Sequence, residues 1–176
     1  MIMEDDIKNW LRDAFLLFFK ENKKIITSNL KEECLNHRLA CCFEKTAPKK
    51  YSSYYVDVEY DKRIDLKYDE KSIAEKGLKI DDEDTKVRPD IVIHRRTCNT
   101  SENLIVIECK KKRRNPYDVE KLNAFRHDWR YLYKYGLAVV YRPKMDGDKF
   151  KLKINDSEYV SINYDLSDWD FALENL

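Results

Sequence analysis

The sequence predicts a single α/β domain built on a mixed central sheet flanked by helices, with an additional helix at its N-terminal end. Three observations predict it. Apolar residues recur at helical spacing in the first twenty or so positions, again after residue 28, and again after Pro116. Between and beyond these stretches lie short segments of alternating or continuous apolar character, the mark of strands. The resulting order is helix, helix, strand, strand, strand, helix, strand, strand, which suits helices packed on a mixed sheet. The 176 residues fall in the single-domain range, so 1–176 is read as one domain. Apolar residues at 43% beside charged residues at 38% support a packed core over disorder.

The first helix is expected over 4–22, where Ile7, Trp10, Leu11, Ala14, Leu17 and Phe18 follow the i, i+3, i+4, i+7 pattern. Phe15, Leu16 and Phe19 widen that stripe, so the helix is either buried on two sides within the domain, the preferred reading, or meets another subunit. A second helix is expected over 29–44. Asn29 with Glu32 three positions later resembles a capping pattern, and Leu35, Leu39 and Cys42 carry the apolar stripe. Residues 53–60 alternate, placing Val56, Val58 and Tyr60 on one face and Tyr55, Asp57 and Glu59 on the other, which is a strand. A polar stretch with a short helix over Ser72–Lys79 leads to the acidic run Asp81–Asp84. Strands follow at 88–95 and 103–111. Asn115-Pro116 marks the next helix start, with Val119, Leu122, Phe125, Trp129 and Leu132 as its buried stripe and Gly136 as its end. Further strands are expected at 137–142, 149–154 and 158–163, before a C-terminal segment containing Trp169, Phe171 and Leu173.

Several classes are set aside on composition. The longest apolar run, Ala14 to Phe19, is six residues, far short of the ~20 that span a bilayer. The acidic Glu4, Asp5 and Asp6 oppose a signal peptide. Five cysteines without regular spacing fit reduced thiols and a cytoplasmic protein better than a disulfide framework. Only three glycines leave no phosphate-binding Gly-rich loop. No internal repeat or low-complexity linker divides the chain. A net charge of +1 is uninformative about a polyanionic partner, but Lys110, Lys111, Lys112, Arg113 and Arg114 form a local basic run.

The chemistry concentrates in Pro89-Asp90-Ile91-Val92-Ile93 and Leu104-Ile105-Val106-Ile107-Glu108-Cys109-Lys110. Alternation puts Glu108 and Lys110 on one face of the second strand and Cys109 on the other. A carboxylate and an amine closing an apolar strand are poorly explained by packing, because a buried charge needs a partner or a metal. Asp90, at the start of the neighbouring strand, adds a second carboxylate at the same sheet position. Paired carboxylates are the oxygen ligands that hard cations prefer.

These residues resemble the PD-(D/E)XK nuclease superfamily, whose signature is met by Pro89-Asp90 and Glu108-Cys109-Lys110. The likeness covers about residues 28–142 and implies a restriction-endonuclease-like fold. It includes an acid-bearing helix before the motif, for which Glu32 in the run Glu32–Ala40 is the better candidate than Glu33. It implies a metal-dependent nuclease acting on DNA. Asp90, Glu108 and the Cys109 backbone carbonyl would hold Mg²⁺ or Mn²⁺, and Glu32 would reach the ion through a water. Lys110 would position or help deprotonate the attacking water and offset charge on the phosphate. Lys111, Lys112, Arg113 and Arg114, with Lys121 as a weaker candidate, would contact the phosphate backbone. No membrane contact is implied, and a homodimer fits, since duplex cleavage needs two active sites.

Plainer readings stay open at this point. Glu32 suits a helix first turn through the macrodipole alone. Asp90 and Lys110 could form a structural ion pair, with Glu108 paired to a base elsewhere. The basic run could be a solvated loop, and Glu59 a solvent-facing edge residue. Cys34, His37 and Cys41 share a helical face, but structural zinc sites take ligands from a turn and a second element. His94 is at most an indirect contributor. A catalytically inactive nucleic-acid-binding or protein-interaction module on the same fold is the alternative function.

Overall fold

The computed structural model describes residues 4–28, 30–60, 88–97, 99–111, 116–128, 131–141, 149–154, 158–164 and 171–175. Expectations for Ser72–Lys79, the acidic run, Lys112, Arg113, Arg114, Trp129 and Trp169 lie outside those residues.

Helix α1 spans Asp5–Thr27 and α2 spans Glu32–Thr46. Strands β1 (Tyr55–Val58), β2 (Ile91–His94) and β3 (Asn103–Lys110) follow, then α3 (Pro116–His127) and β4 (Tyr135–Val140). Strands β5 (Lys149–Ile154), β6 (Glu158–Tyr164) and β7 (Phe171–Asn175) complete the described chain. The sheet runs in sequence order, β1 to β7. Strands β3 and β4 are parallel, joined across α3, and every other neighbouring pair is antiparallel. The mixed α/β architecture expected from the sequence is therefore present. No described helix is long and apolar enough to cross a membrane, and Cys34, Cys41, Cys42 and Cys109 are free thiols.

Two apolar clusters sandwich the sheet. On one face α1 and α2 pack Trp10, Phe15, Phe18, Leu35, Leu39 and Phe43 against Ile91, Ile93, Ile105, Ile107 and Leu137. On the other, Leu122 and Phe125 of α3 cover Val92, Val106 and Ala138. Strand β3 is covered on both sides, which is why it reads as a near-continuous apolar run. The broad stripe of α1 is accounted for within the domain: Phe15 and Phe19 are buried, and Trp10 donates its indole N–H to the Phe43 carbonyl at 2.9 Å.

Five local expectations are corrected. Helix α1 continues past 22 to Thr27. Asn22 leaves helical geometry there and its side-chain amide donates to the Phe18 carbonyl at 3.0 Å, so the chain kinks and resumes. Helix α2 starts at Glu32, not 29, with Lys31 as its N-cap, whose ammonium has no acceptor to offer the first helical N–H groups. Glu32 turns its carboxylate to the Lys111 N–H just beyond β3, and Asn29 lies outside the described residues. Tyr60 does not share a face with Val56 and Val58. Glu59 adopts φ 50°, the strand ends, and Tyr60 turns to the α3 side against His94. Leu132 is exposed in a turn with φ 46°, not in the helix stripe. Gly136 lies inside β4 rather than ending α3. A Cβ on it would stand 2.8 Å from Arg126 Cδ and 3.7 Å from Leu122 Cβ, so glycine lets the helix press onto the strand.

This close approach gives a stability test. Gly136→Val is expected to cost ~1–3 kcal/mol through overpacking of α3, read as a lower urea midpoint. An unchanged midpoint would mean that the Arg126 stem yields freely.

Candidate metal and nuclease site

The antiparallel register of β2 and β3 pairs Ile91 with Ile107, so Asp90 and Glu108 come next to each other one step further along. Both lie on the α3 face, with Val92 and Val106. The parallel partner of Glu108 on β4 is Ala138, whose small side chain leaves room beside the carboxylate. Asp90 Oδ2 accepts the Cys109 backbone N–H at 2.6 Å. In a strand the N–H and C=O of one residue point to the same side, so the Cys109 carbonyl also leaves β3 on the Asp90 side. Lys110 faces the other way, its carbonyl accepting the Tyr141 N–H at 2.7 Å. The backbone of β3 thus offers an oxygen beside the two acids.

Glu32 arrives from the first turn of α2. Its Oε2 accepts the Lys111 backbone N–H at 2.6 Å, and its Oε1 lies 3.5 Å from Lys110 Nζ. Glu33 is exposed and points elsewhere, as expected. From α3, Asp118 Oδ1 lies 3.6 Å from the same ammonium. Asp118 was not anticipated. It belongs to the buried stripe of α3, in register with Leu122 and Phe125 at i+4 and i+7, and its side chain is only 5% exposed. A charged residue on that stripe was the available signal, hidden by taking Val119 as its first member.

The acids converge on the Lys110 ammonium. Burial lowers the tendency of Lys110 to stay charged, but Asp90, Glu32, Asp118 and Glu108 together overcome it and hold its pKa above the usual lysine range. Glu108 is 1% exposed, and Lys121 Nζ of α3 sits 2.8 Å from both of its oxygens. The angle of a hydrogen bond is met only at Oε2, leaving Oε1 a buried acceptor without a hydrogen-bond partner. Burial, then the neighbouring Asp90 charge, pushes the Glu108 carboxyl up to about 8 despite Lys121. Near neutral pH a proton and the Lys121 ammonium therefore compete for one group.

Of the expected phosphate contacts, Lys121 is engaged with Glu108, and the Lys111 ammonium donates to the Leu30 carbonyl at 2.7 Å. Glu59 is exposed, while its backbone N–H holds the Asp90 carbonyl at 3.0 Å. His94 lies at the far end of β2, where Nε2 meets Asp57 Oδ2 at 2.8 Å and Arg96 also binds Asp57. Asp57 is therefore a half-buried acceptor shared by both groups. Cys34 is exposed, and Cys41 Sγ meets His37 Nδ1 at 3.8 Å on the α2 surface.

As the side chains stand, no group of three or more His, Cys, Asp or Glu among the described residues is arranged to hold a metal ion. The donor set nevertheless fits a hard divalent cation at the strand acids. Two neighbouring carboxylates, that of Glu108 buried beside the Asp90 charge, and a backbone carbonyl next to them form an all-oxygen set. No protein-family model, curated protein or solved structure matches this chain. The reading of the site rests on its own chemistry.

The Glu108 shift has a defined sign. Between pH about 4.5 and about 8 the folded chain binds a proton at Glu108 that the unfolded chain has released. This group therefore costs stability as pH rises through that window, by at most ~1.4 kcal/mol per pH unit. The difference in stability between wild type and Glu108→Gln is expected to move steadily toward the variant from pH 5 to pH 8, measured by urea denaturation without divalent ions. Parallel curves would mean that Glu108 is ionised throughout.

Proposed function

We propose that this chain is a metal-dependent nuclease of the restriction-endonuclease-like kind, hydrolysing phosphodiester bonds of nucleic acid, with DNA as the substrate class. The observation that carries it is the Asp90–Glu108 carboxylate pair, closed in by the Cys109 backbone and set beside an ammonium held by further acids. The order of α2, three antiparallel strands, α3 and a parallel fourth strand supports the family resemblance, as does the placing of the acid-bearing helix before the motif.

In this reading Asp90, Glu108 and the Cys109 carbonyl hold Mg²⁺ or Mn²⁺. The bound ion supplies Lewis acidity to the phosphate and a more acidic water. Lys110, held protonated by the surrounding carboxylates, offsets charge on the phosphate in the transition state rather than acting as a base. Glu32 Oε1, on the more open of the two carboxylates near Lys110, would take the attacking water's proton. Asp118, from α3, braces the lysine as well. A homodimer would supply the second site that cutting both strands of a duplex requires.

One observation favours a second reading. Each expected carboxylate ligand already has a protein donor: Cys109 N–H on Asp90, Lys121 on Glu108, Lys111 N–H on Glu32. That arrangement also suits a structural charge network in a non-catalytic nucleic-acid-binding or protein-interaction module.

Incubation with supercoiled plasmid, linear duplex and single strands in Mg²⁺, Mn²⁺ or EDTA separates the two. Wild type is expected to cleave only with metal. Asp90→Asn and Glu108→Gln are expected to abolish cleavage, and Lys110→Met to slow it by about 10²–10³-fold. In parallel, Mn²⁺ should raise the melting temperature of wild type but not of Asp90→Asn, since an ion that binds only the folded state stabilises it. A folded, metal-binding wild type that cuts none of these substrates would leave the binding-module reading in place.

A further inference from the structure

Of the two expected phosphate contacts among the described residues, Lys111 and Lys121, it is Lys121 that the fold draws inward. It lies on the same face of α3 as Asp118, Leu122 and Phe125, and its side chain is 12% exposed. Its ammonium stands 2.8 Å from both Glu108 oxygens, although good hydrogen-bond geometry is reached only at Oε2. A monovalent ammonium so placed spans both oxygens of the carboxylate on which the metal reading depends. A divalent cation on Glu108 and an ammonium on the same two oxygens compete for the carboxylate, because their charges repel at that range. The stem of Lys121 is four methylenes long, and the helix beneath it is fixed by Leu122 and Phe125, so the ammonium can leave without moving α3.

We infer that Lys121 is an exchangeable counter-ion: it pairs with Glu108 in the metal-free protein and is displaced by the divalent cation, which frees its ammonium for a phosphate oxygen. This rests on the metal reading above and extends it. The exchange involves no covalent change: the ammonium keeps its proton, the cation takes the carboxylate, and any proton on Glu108 passes to solvent. Two consequences follow for the protein alone. Lys121 should weaken metal binding rather than assist it, and metal should uncover an otherwise sheltered amine.

Both are measurable without nucleic acid. In calorimetric titrations with Mn²⁺, Lys121→Met is expected to bind about tenfold more tightly than wild type, the least that a charge contact of this length is worth under full aqueous screening. Lys121→Arg, which keeps the competing charge, should stay near wild type. In wild type itself, Mn²⁺ should increase acylation of Lys121 by an amine-reactive reagent, read by peptide mass spectrometry, and should fail to do so in Asp90→Asn. This second readout holds even if the methionine variant does not fold. Wild-type binding that Lys121→Met leaves unchanged or weakens, or a Lys121 reactivity that Mn²⁺ leaves unchanged or lowers, overturns the exchange while sparing the metal site. Absence of Mn²⁺ binding in both wild type and Lys121→Met overturns the metal reading with it, whereas binding by Lys121→Met alone supports the exchange in its strongest form.

Discussion

A carboxyl group buried in the middle of an apolar sheet face, with a second carboxyl beside it, sets the terms for everything near it. Glu108 continues the line of Val106 along β3, under α3, where solvent cannot screen it. Ionising it there costs burial energy and works against Asp90. The surroundings respond in kind. Asp90 takes a backbone N–H from the strand that carries Glu108, Lys121 reaches in from α3, and Lys110 is gripped between Glu32 and Asp118. The starts of α2 and α3 both supply acids to this corner, Glu32 and Asp118. The apolar sandwich supplies the rigidity that keeps like charges together.

The same sheet face carries a second polar cluster, and the contrast is instructive. At the other end of β2, His94 is buried against Asp57, which also binds Arg96, while the edge of Tyr60 closes over the imidazole at a centroid distance of 4.6 Å. Burial lowers the His94 pKa, and Asp57 only partly offsets it. Burial raises that of Asp57, but hydrogen bonds from Arg96 and His94 outweigh it and leave the group below its ordinary value. Opposite charges meet there and each tendency is answered. At Glu108 the neighbour is another acid and one oxygen lacks a hydrogen bond. A closed structural cluster and an incompletely neutralised one thus sit a strand length apart, built from similar residue types.

Much of this was legible in the sequence because the decisive information was periodic. The alternation of β3 fixed which face Glu108 and Lys110 share, and the Glu32, Leu35, Leu39 spacing brought the helix acid to the core side. What escaped were residues whose roles depend on a turn or a crossing. Tyr60 changes face because Glu59 takes a left-handed conformation that no alternation pattern foretells. Gly136 reads as a helix stop until the Arg126 side chain is seen lying over it. Asp118 and Lys121 look like ordinary surface charges of a helix first turn and face. Only the rotation of α3, set by how Leu122 and Phe125 seat on Val92, Val106 and Ala138, turns both inward.

That rotation bears on whether the charges are scaffold or machinery. As scaffold they are a poor bargain: buried ion pairs recover little more than their desolvation cost, and apolar residues of similar shape commonly serve stability as well or better. Apolar side chains were available on each neighbouring position, as Val92, Val106, Leu122 and Phe125 attest. A sequence selected for stability alone would have continued the apolar line through position 108 and kept position 121 at the solvent boundary. Here instead a costly acid is paired with another acid, and the base that relieves it is mounted on a flexible stem rather than a short, rigid one. Charges placed against their own stability, with a partner on a flexible stem, suit the proposed site, which would take up and release a cation. A permanent internal brace would have been served better by the closed pairing seen at His94.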